Sequence, residues 1–377
     1  MKKGRRLTVI FCILSALLAG CGNTQVENTG KVETGKDKIQ IGMCFDSFVI
    51  ERWQRDRDVF VSTAKEYGAE VNVQNANGEV EEQIKQIEYF IEKKMDVIVI
   101  ISIDGNRLKD VVQKAKGQGI KIICYDRIIK DANADLYISF DNEAVGTMMA
   151  EALVDSGLKS DEVIMLQGPV TDHNVELVRN GFMRVMNKYN IDVIGSINAD
   201  GWKPETAGNY IYENSSMVNK AGGIMCGNDS LATSVVHALA EKRLAGKIAV
   251  VGQDAELEAC QRIVEGTQVM TVYKPVEKLA QAAAEYAIIL AKGGDLAKTD
   301  VIYTLAPNGS SVRITEEKAT RKKESNIKKI DDGTYDIPYV VLEPISVNID
   351  NINEVIINSG FHLKEDVYLN VPDKMPN

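Results

Sequence analysis

The 377-residue sequence has few histidines and few aromatic residues. Its three histidines, His173, His237 and His362, lie far apart and leave little material for a metal site or a histidine relay. Acidic residues outnumber basic ones by 54 to 44, so the chain offers no broad basic surface to a nucleic acid. The motifs G-x-x-x-x-G-K-[ST], G-x-S-x-G and H-E-x-x-H are absent. These absences disfavour a nucleic-acid partner and the enzyme classes that depend on those motifs.

The first twenty residues have the pattern of an export signal. Four basic residues precede an apolar run from Leu7 to Gly20, which is shorter than the roughly 20 residues that span a bilayer. The run ends in Leu-Ala-Gly-Cys, which resembles a bacterial lipobox and implies cleavage before Cys21 and lipid attachment to it. An ordinary signal peptide that happens to contain a cysteine is the alternative. Residues 21–37 are polar and are predicted to form a flexible tether.

Four cysteines remain in the predicted globular body, namely Cys44, Cys124, Cys226 and Cys260. They are widely spaced, lie mostly within apolar runs and form no C-x-x-C motif, so we predict free buried thiols. A bridge between Cys44 and Cys124 remains an alternative, because export would permit a disulfide.

From residue 39 onward, short apolar runs rich in β-formers alternate with amphipathic segments. This alternation is typical of βαβ units around a parallel sheet. Ten strands are many for one doubly wound sheet, so we predict two α/β domains, the second beginning near Asn142. The predicted strands are Ile39–Phe45, Glu70–Gln74, Val97–Ser102, Lys121–Tyr125, Leu136–Phe140, Val163–Gln167, Val193–Asn198, Gly223–Cys226, Ile248–Gly252 and Val269–Tyr273.

Polar side chains follow many of these strands at their carboxyl ends, where open α/β sheets bind ligands. Arginine and aspartate can each meet neighbouring sugar hydroxyls with two hydrogen bonds, and an indole can stack on the C–H face of a sugar. The set therefore predicts a carbohydrate site, although for any single member a solvated position or a helix cap is the alternative. Its members, which include the only two tryptophans, are Arg52, Trp53, Asp126, Arg127, Asn174, Trp202, Asn228, Asp254 and Lys274.

A catalytic interpretation of the same residues is weaker. Asp126 and Asp254 could in principle act as acid and base on a glycosidic bond. The flanking arginines and lysine would hold both carboxylates ionised, which opposes the raised pKa that a general acid needs. His173 is predicted to be a loop histidine without a chemical role, because no nucleophile accompanies it. We therefore expect no catalytic residue, no metal and no cofactor.

Several short strings, each weak alone, occur together in order along the chain. The strings are Glu51-Arg52-Trp53-Gln54, Gln74-Asn75-Ala76-Asn77-Gly78, Tyr125-Asp126-Arg127, Tyr137-Ile138-Ser139-Phe140-Asp141-Asn142-Glu143, Asp200-Gly201-Trp202, Asn228-Asp229, Gly252-Gln253-Asp254-Ala255, Val272-Tyr273-Lys274-Pro275 and Gly360-Phe361-His362. In this combination the sequence resembles the D-xylose-binding proteins of bacterial ABC importers, which are periplasmic binding proteins of the ribose/galactose type.

The resemblance implies an α/β fold of two Rossmann-like lobes with parallel sheets, joined by a three-crossing hinge (a type I periplasmic binding protein). The expected N-terminal lobe comprises residues 38–141 and 275–337, and the C-terminal lobe residues 142–274 and 338–377. Implied sugar contacts of the first lobe are Arg52, Trp53, Asp126 and Arg127. Those of the second are Asn174, Trp202, Asn228 and Asp254, with Lys274 at a crossing.

The function expected from the resemblance is extracytoplasmic binding of a monosaccharide, D-xylose, for delivery to an ABC permease. The protein would be a monomer, lipid-anchored to the cell membrane or periplasmic. The alternatives are a tethered sensor that presents its closed form to a histidine kinase or chemoreceptor, and an enzyme acting on sugars. Two features depart from the family pattern: His173 replaces an asparagine, and the stretch from Pro307 to Pro338 is unusually polar. We expect that stretch to form a solvated loop or hairpin, with a docking surface as the alternative.

Overall fold

The computed structural model describes residues 38–296 and 327–376. The predicted signal, Cys21, the predicted tether and most of the polar stretch before Pro338 lie outside the described residues. Within the described part, no helix is both long enough and apolar enough to cross a membrane.

Two sheets organise the described residues, and the ten predicted strands are all present. Buried parallel strands form near-continuous apolar runs, as the fully buried Val-Ile-Val-Ile of the third strand illustrates. The strands are β1 (Gln40–Phe45), β2 (Glu70–Asn75), β3 (Val97–Ile100), β4 (Lys121–Tyr125), β5 (Leu136–Phe140), β6 (Glu162–Gln167), β7 (Asp192–Asn198), β8 (Gly223–Cys226), β9 (Ala249–Gln253), β10 (Met270–Tyr273), β11 (Lys328–Asp331), β12 (Asp336–Leu342) and β13 (Ile345–Asn348).

Helices cover both sheets. The second helix shows why they form: its acidic first turn suits the positive end of the helix, and Ile87, Phe90 and Ile91 are buried at helical spacing. The helices are α1 (Arg52–Glu66), α2 (Val80–Glu92), α3 (Lys109–Gly117), α4 (Asn142–Asp155), α5 (His173–Tyr189), α6 (Pro204–Glu213), α7 (Ser215–Val218), α8 (Asp229–Glu241), α9 (Leu257–Glu265), α10 (Val276–Ala291) and α11 (Lys364–Val367).

The first sheet has the order β11-β12-β5-β4-β3-β1-β2, and the second β13-β10-β9-β8-β6-β7. All pairings are parallel except those of β11 with β12 and of β10 with β13. The chain passes from one sheet to the other three times, after β5, after β10 and after β12. The two-lobe α/β fold with three crossings is therefore confirmed.

The predicted lobe boundary at Pro338 does not match the strand pairing. Strand β12 runs through Pro338 and pairs in parallel with β5 from Tyr339 to Leu342. A proline suggests the end of a strand, but Pro338 lies opposite Lys329 of β11 before the pairing with β5 begins. Its missing N–H therefore removes no hydrogen bond to β5. Residues 338–342 belong to the first sheet, and the hairpin of β11 and β12 is the described part of the polar stretch.

The cysteine prediction is confirmed within the described residues. Cys44, Cys124, Cys226 and Cys260 are buried and free, which removes the alternative bridge between Cys44 and Cys124. Burial raises the pKa of the Cys44 and Cys124 thiols to about 12, so both are protonated and unreactive.

Candidate functional site

A cavity lies between the lobes, at the carboxyl ends of both sheets. Its empty space, counted together with the opening to solvent, is about 480 Å³. The nine residues predicted from the sequence all line it. Lining residues outside that prediction are Ile50, Gln167, Gly168, Asp172, Val175, Val178, Met225, Gly227 and Gln253.

Arg52 begins α1 and directs its guanidinium into the cavity. Its Nη2 lies 3.1 Å from Asp56 Oδ1, and its Nη1 lies 3.1 Å from Asp126 Oδ2 and 3.9 Å from Asp254 Oδ1. Asp56 also accepts a hydrogen bond from the Tyr125 hydroxyl. Burial raises the pKa of Asp56 despite the adjacent Arg52. This carboxylate, fully buried behind Arg52, fixes the direction in which the guanidinium points.

Arg127 is held in a similar way by residues of both lobes. Its Nη1 donates to Asp46 Oδ2 at 2.7 Å and to the Ser102 carbonyl at 3.1 Å, and its Nε lies 2.7 Å from Asp172 Oδ2 of the second lobe. Asp172 also caps α5 by accepting from the Asn174 backbone N–H at 3.0 Å. Asp172 was not among the residues predicted for the site, because its pairing with Arg127 joins residues far apart in the chain.

Asp126 is the acceptor at which the lobes meet. Asn174 Nδ2 of the second lobe donates to the Asp126 carbonyl at 3.0 Å and to its Oδ1 at 3.2 Å. Burial opposes ionisation of Asp126, but Arg52, Lys274 and Arg127 outweigh it, and the pKa of the carboxyl lies below its ordinary value. The predicted ionised state of Asp126 agrees with this shift. A group so held cannot act as the proton donor of a glycosidase.

Both tryptophans present their rings to the cavity. The Arg52 guanidinium carbon lies 4.5 Å and that of Arg127 5.6 Å from the Trp53 ring centroid, so cationic groups contact this indole. Trp202 is the last residue of the three-residue turn Asp200–Trp202 and has a positive φ of 57°. A bulky residue in this region carries backbone strain, which is commonly found at functional sites.

The indole of Trp202 lies directly against the backbone of two strand-end glycines. A Cβ added to Gly168 would lie 2.3 Å from Cη2 and Cζ2 of Trp202, and one added to Gly227 would lie 3.2 Å from Cζ3. Both positions therefore need glycine for the ring to occupy its place. No pattern in the sequence connected Gly168 or Gly227 with Trp202, because the contact depends on how β6, β8 and the turn at Trp202 lie in space.

Asp229 supports the turn that carries Asp254. Its Oδ2 accepts from Thr271 Oγ1 at 2.6 Å and from the Glu256 N–H at 3.2 Å, and Thr271 Oγ1 in turn accepts from the Ala255 N–H at 3.1 Å. Both Asp254 and Ala255 have positive φ, at 97° and 52°. Burial raises the pKa of Asp229 to about 7, although the side chains of Thr271 and Gln268 donate to it. The network holds an otherwise unfavourable backbone conformation.

His173 does not line the cavity. It begins α5 and lines a separate, more open groove between the lobes, where its Nδ1 lies 3.3 Å from Glu176 Oε2. Burial and Lys130 lower the pKa of His173. The next residue, Asn174, points into the cavity instead.

Five polar atoms of the cavity wall are buried and have neither a hydrogen bond nor an ion pair shorter than 3.5 Å to any described residue. Buried donors and acceptors are nearly always paired, so five in one cavity wall indicate a polar ligand with both donors and acceptors. The atoms are Trp53 Nε1, Trp202 Nε1, Asn228 Nδ2, Gln253 Oε1 and Asp254 Oδ1. The two ends of the Asn228 amide differ: its Oδ1 caps α8 by accepting from the Leu231 N–H at 2.9 Å, whereas its Nδ2 remains available to a ligand.

Comparison with known proteins identifies the family. The family model described as "Periplasmic binding protein domain" matches residues 41–295. The chain is 40% identical to the D-xylose-binding periplasmic protein of Escherichia coli (strain K12), over 94% of this chain and 99% of that protein. The chain belongs to the periplasmic binding proteins.

Other comparisons agree with this family. The D-xylose-binding periplasmic protein of Haemophilus influenzae is also 40% identical, over 94% of this chain and 99% of that protein. A crystal structure of an ABC transporter solute-binding protein from Clostridium phytofermentans, with bound β-D-glucose, superposes with a TM-score of 0.72. It is 26% identical and covers 87% of this chain and 99% of that one. This periplasmic binding protein is a member of a family of transport proteins and is not an enzyme.

Proposed function

We propose that this protein binds one D-xylose molecule between its lobes and delivers it to the permease of an ABC importer. The observation that carries the proposal is the cavity wall, where three cationic groups, several carboxylates and amides, and both tryptophans converge. Vicinal hydroxyls pair with such groups, and a pyranose ring stacks on indole. The 40% identity to proteins named as D-xylose-binding supports this choice among sugars, and it gives no support to a sensor.

Closure of the two lobes around the sugar is the proposed mechanism. Arg52, Asp126 and Arg127 come from the first lobe, and Asn174 and Asp254 from the second, so only a closed form brings all of them to one ligand. Sugar binding shifts the population toward that form by contacts that the open form lacks. A permease can then recognise the closed surface.

Selectivity should follow from the buried charges and the fixed indoles. A sugar that lacks a hydroxyl leaves a buried charged group unpaired, which costs more than a lost contact in water. D-Glucose carries a hydroxymethyl group where D-xylose carries hydrogen, and we propose that Trp202, which lies against Gly168 and Gly227, limits the space for this group. We therefore expect D-xylose to bind at least tenfold more tightly than D-glucose.

Titration calorimetry on the full mature chain tests this expectation, with tryptophan fluorescence as a second readout. Because the only two tryptophans both line the cavity, their emission should change when a sugar enters. A sugar that binds only the folded form should also raise the free energy of unfolding, by about 2.7 kcal/mol when its free concentration is a hundred times Kd. The unfolding midpoint should rise accordingly. Equal affinity for the two sugars would contradict the proposed selectivity, and binding of neither would contradict the function.

An extracytoplasmic location agrees with the periplasmic relatives, and we further propose that a lipid on Cys21 anchors a monomeric protein to the cell membrane. The support is the Leu-Ala-Gly-Cys sequence and the polar residues 21–37, which would separate the anchor from the described body. Mass spectrometry of protein from the native membrane should find cleavage before Cys21 and the added mass of a diacylglyceryl group. An unmodified Cys21 in a protein recovered from the soluble fraction would contradict the anchor.

A further inference from the structure

The loop Phe361-His362 near the C-terminus contacts both lobes, outside the cavity. Phe361 packs against the ring of Tyr273 in the second lobe, with centroids 4.7 Å apart, while Arg55 of α1 in the first lobe donates from Nη2 to the Phe361 carbonyl at 3.1 Å. The Arg55 guanidinium carbon also lies 4.1 Å from the centroid of the Phe361 ring. This contact therefore combines a hydrogen bond with a cation–π interaction across the cleft.

Arg55 is held in place from its own lobe as well. Its Nη1 lies 2.9 Å from Glu277 Oε1 of α10, which packs on α1. The fork of a guanidinium can make both contacts at once, with one nitrogen for Glu277 and the other for the Phe361 carbonyl. Lysine has only one terminal nitrogen and no planar face, so it cannot reproduce this arrangement.

His362 extends the contact to the turn that carries a cavity residue. Its Nε2 lies 2.8 Å from the Ala255 carbonyl, directly after Asp254. Because a carbonyl can only accept, Nε2 is the protonated ring nitrogen. Burial lowers the pKa of His362, and the charge of Arg55 lowers it further. The hydrogen bond to the Ala255 carbonyl, Glu277 and Asp366 raise the pKa by less, so the ring is neutral.

The contacts of Arg55 and His362 connect Phe361 with two residues that line the cavity. Arg52 lies three residues before Arg55 in α1, where side chains share a helix face, and Asp254 precedes Ala255. Arg52 Nη1 and Asp254 Oδ1 face each other at 3.9 Å. We infer that Arg55, Phe361 and His362 form a rim contact whose function is to position Arg52 and Asp254 and to slow the opening of the lobes. The inference rests on the proposed sugar-binding function and names positioning residues that do not line the cavity.

Stopped-flow tryptophan fluorescence separates this role from a general effect on the fold. The inference requires that opening of the lobes breaks this contact, so its loss should raise the sugar dissociation rate and leave the association rate nearly unchanged. We expect Arg55→Lys and Phe361→Ala each to raise the D-xylose dissociation rate about tenfold. The double variant should be little worse than Arg55→Lys alone, because the cation–π contact that Phe361→Ala removes already depends on the Arg55 guanidinium.

The chain offers a matched control on the same helix. Arg57 also lies over a phenylalanine, with its guanidinium carbon 5.4 Å from the Phe48 ring centroid, but both residues belong to the first lobe. Arg57→Lys should leave the dissociation rate unchanged. Phe361→Tyr keeps the aromatic ring, so its D-xylose dissociation rate should be close to that of the wild type.

Several outcomes would overturn the inference. One is an unchanged dissociation rate in Arg55→Lys and Phe361→Ala; another is an equal effect in Arg57→Lys. A third is loss of affinity that simply follows a lower unfolding midpoint of the sugar-free protein.

If the wild type fails to bind D-xylose but binds another sugar of a pentose and hexose panel, the choice of sugar is wrong, and the same variants are compared with that sugar. If it binds no sugar, the function fails and the inference with it.

Discussion

Replacing Asp254 with asparagine is expected to weaken D-xylose binding about a hundredfold. Asp254 Oδ1 is buried and makes no hydrogen bond within the described residues, so it is available to accept from a sugar hydroxyl. Its nearest cationic groups, Lys274 Nζ at 3.7 Å and Arg52 Nη1 at 3.9 Å, lie beyond hydrogen-bond distance and leave the oxygen free to accept. A hydrogen bond to a buried charge contributes about 1.5–3 kcal/mol, and the new amide also turns one acceptor into a donor.

Asp254→Asn is nearly isosteric, and asparagine tolerates the positive φ of this position better than most residues. The backbone of the turn should therefore survive, and calorimetry should report lost affinity with only a modest fall in the unfolding midpoint. Asp200→Asn is the matched control, because Asp200 is exposed although it lies two residues before Trp202. Equal binding by wild type and Asp254→Asn would exclude Asp254 as a sugar contact.

The sequence was sufficient to predict nine of the residues that line the cavity. Parallel strands all end at the same edge of a sheet, so polar residues after separate strands, such as Asp126 and Asp254, are brought together by topology alone. The order of the α/β units was readable for the same reason, because each buried strand is a short apolar run bounded by polar residues. The boundaries of the strands therefore indicate both the order of the α/β units and the positions of the polar residues in the cavity wall.

What the sequence did not reveal depends on contacts between distant segments. The spacing of Arg52 and Asp56 by four residues was a readable signal for their ion pair, but nothing in the sequence placed Tyr125 beside Asp56. The contact between Arg55 and Phe361 joins residues 306 positions apart and two lobes. The lobe boundary that the resemblance implied at Pro338 divides β12, whose parallel pairing with β5 starts only at Tyr339. Such features follow from packing, which local patterns do not encode.

Gly168→Ala is expected to reduce D-xylose affinity about a hundredfold, although the change adds one methyl group. The new Cβ would lie 2.3 Å from two carbons of the Trp202 indole, so the ring must move, and we expect it to move toward the cavity that it lines. Overpacking of this kind costs about 1–3 kcal/mol, and here the displaced ring also takes space that the sugar needs. Calorimetry should show the loss of affinity, and the fluorescence of the sugar-free protein should change because one of the two emitters has moved.

A second substitution separates this effect from a defect in the backbone. Trp202→Phe in the Gly168→Ala background replaces the indole with a smaller ring and should recover part of the lost affinity, whereas Trp202→Phe alone should weaken binding by reducing the stacking surface. Gly117→Ala is the matched control, since a Cβ there meets nothing within 4 Å and α3 should tolerate alanine better than glycine. If Gly168→Ala binds D-xylose as tightly as Gly117→Ala does, Trp202 can move without cost, and its fixed position against Gly168 and Gly227 cannot be the basis of sugar selection.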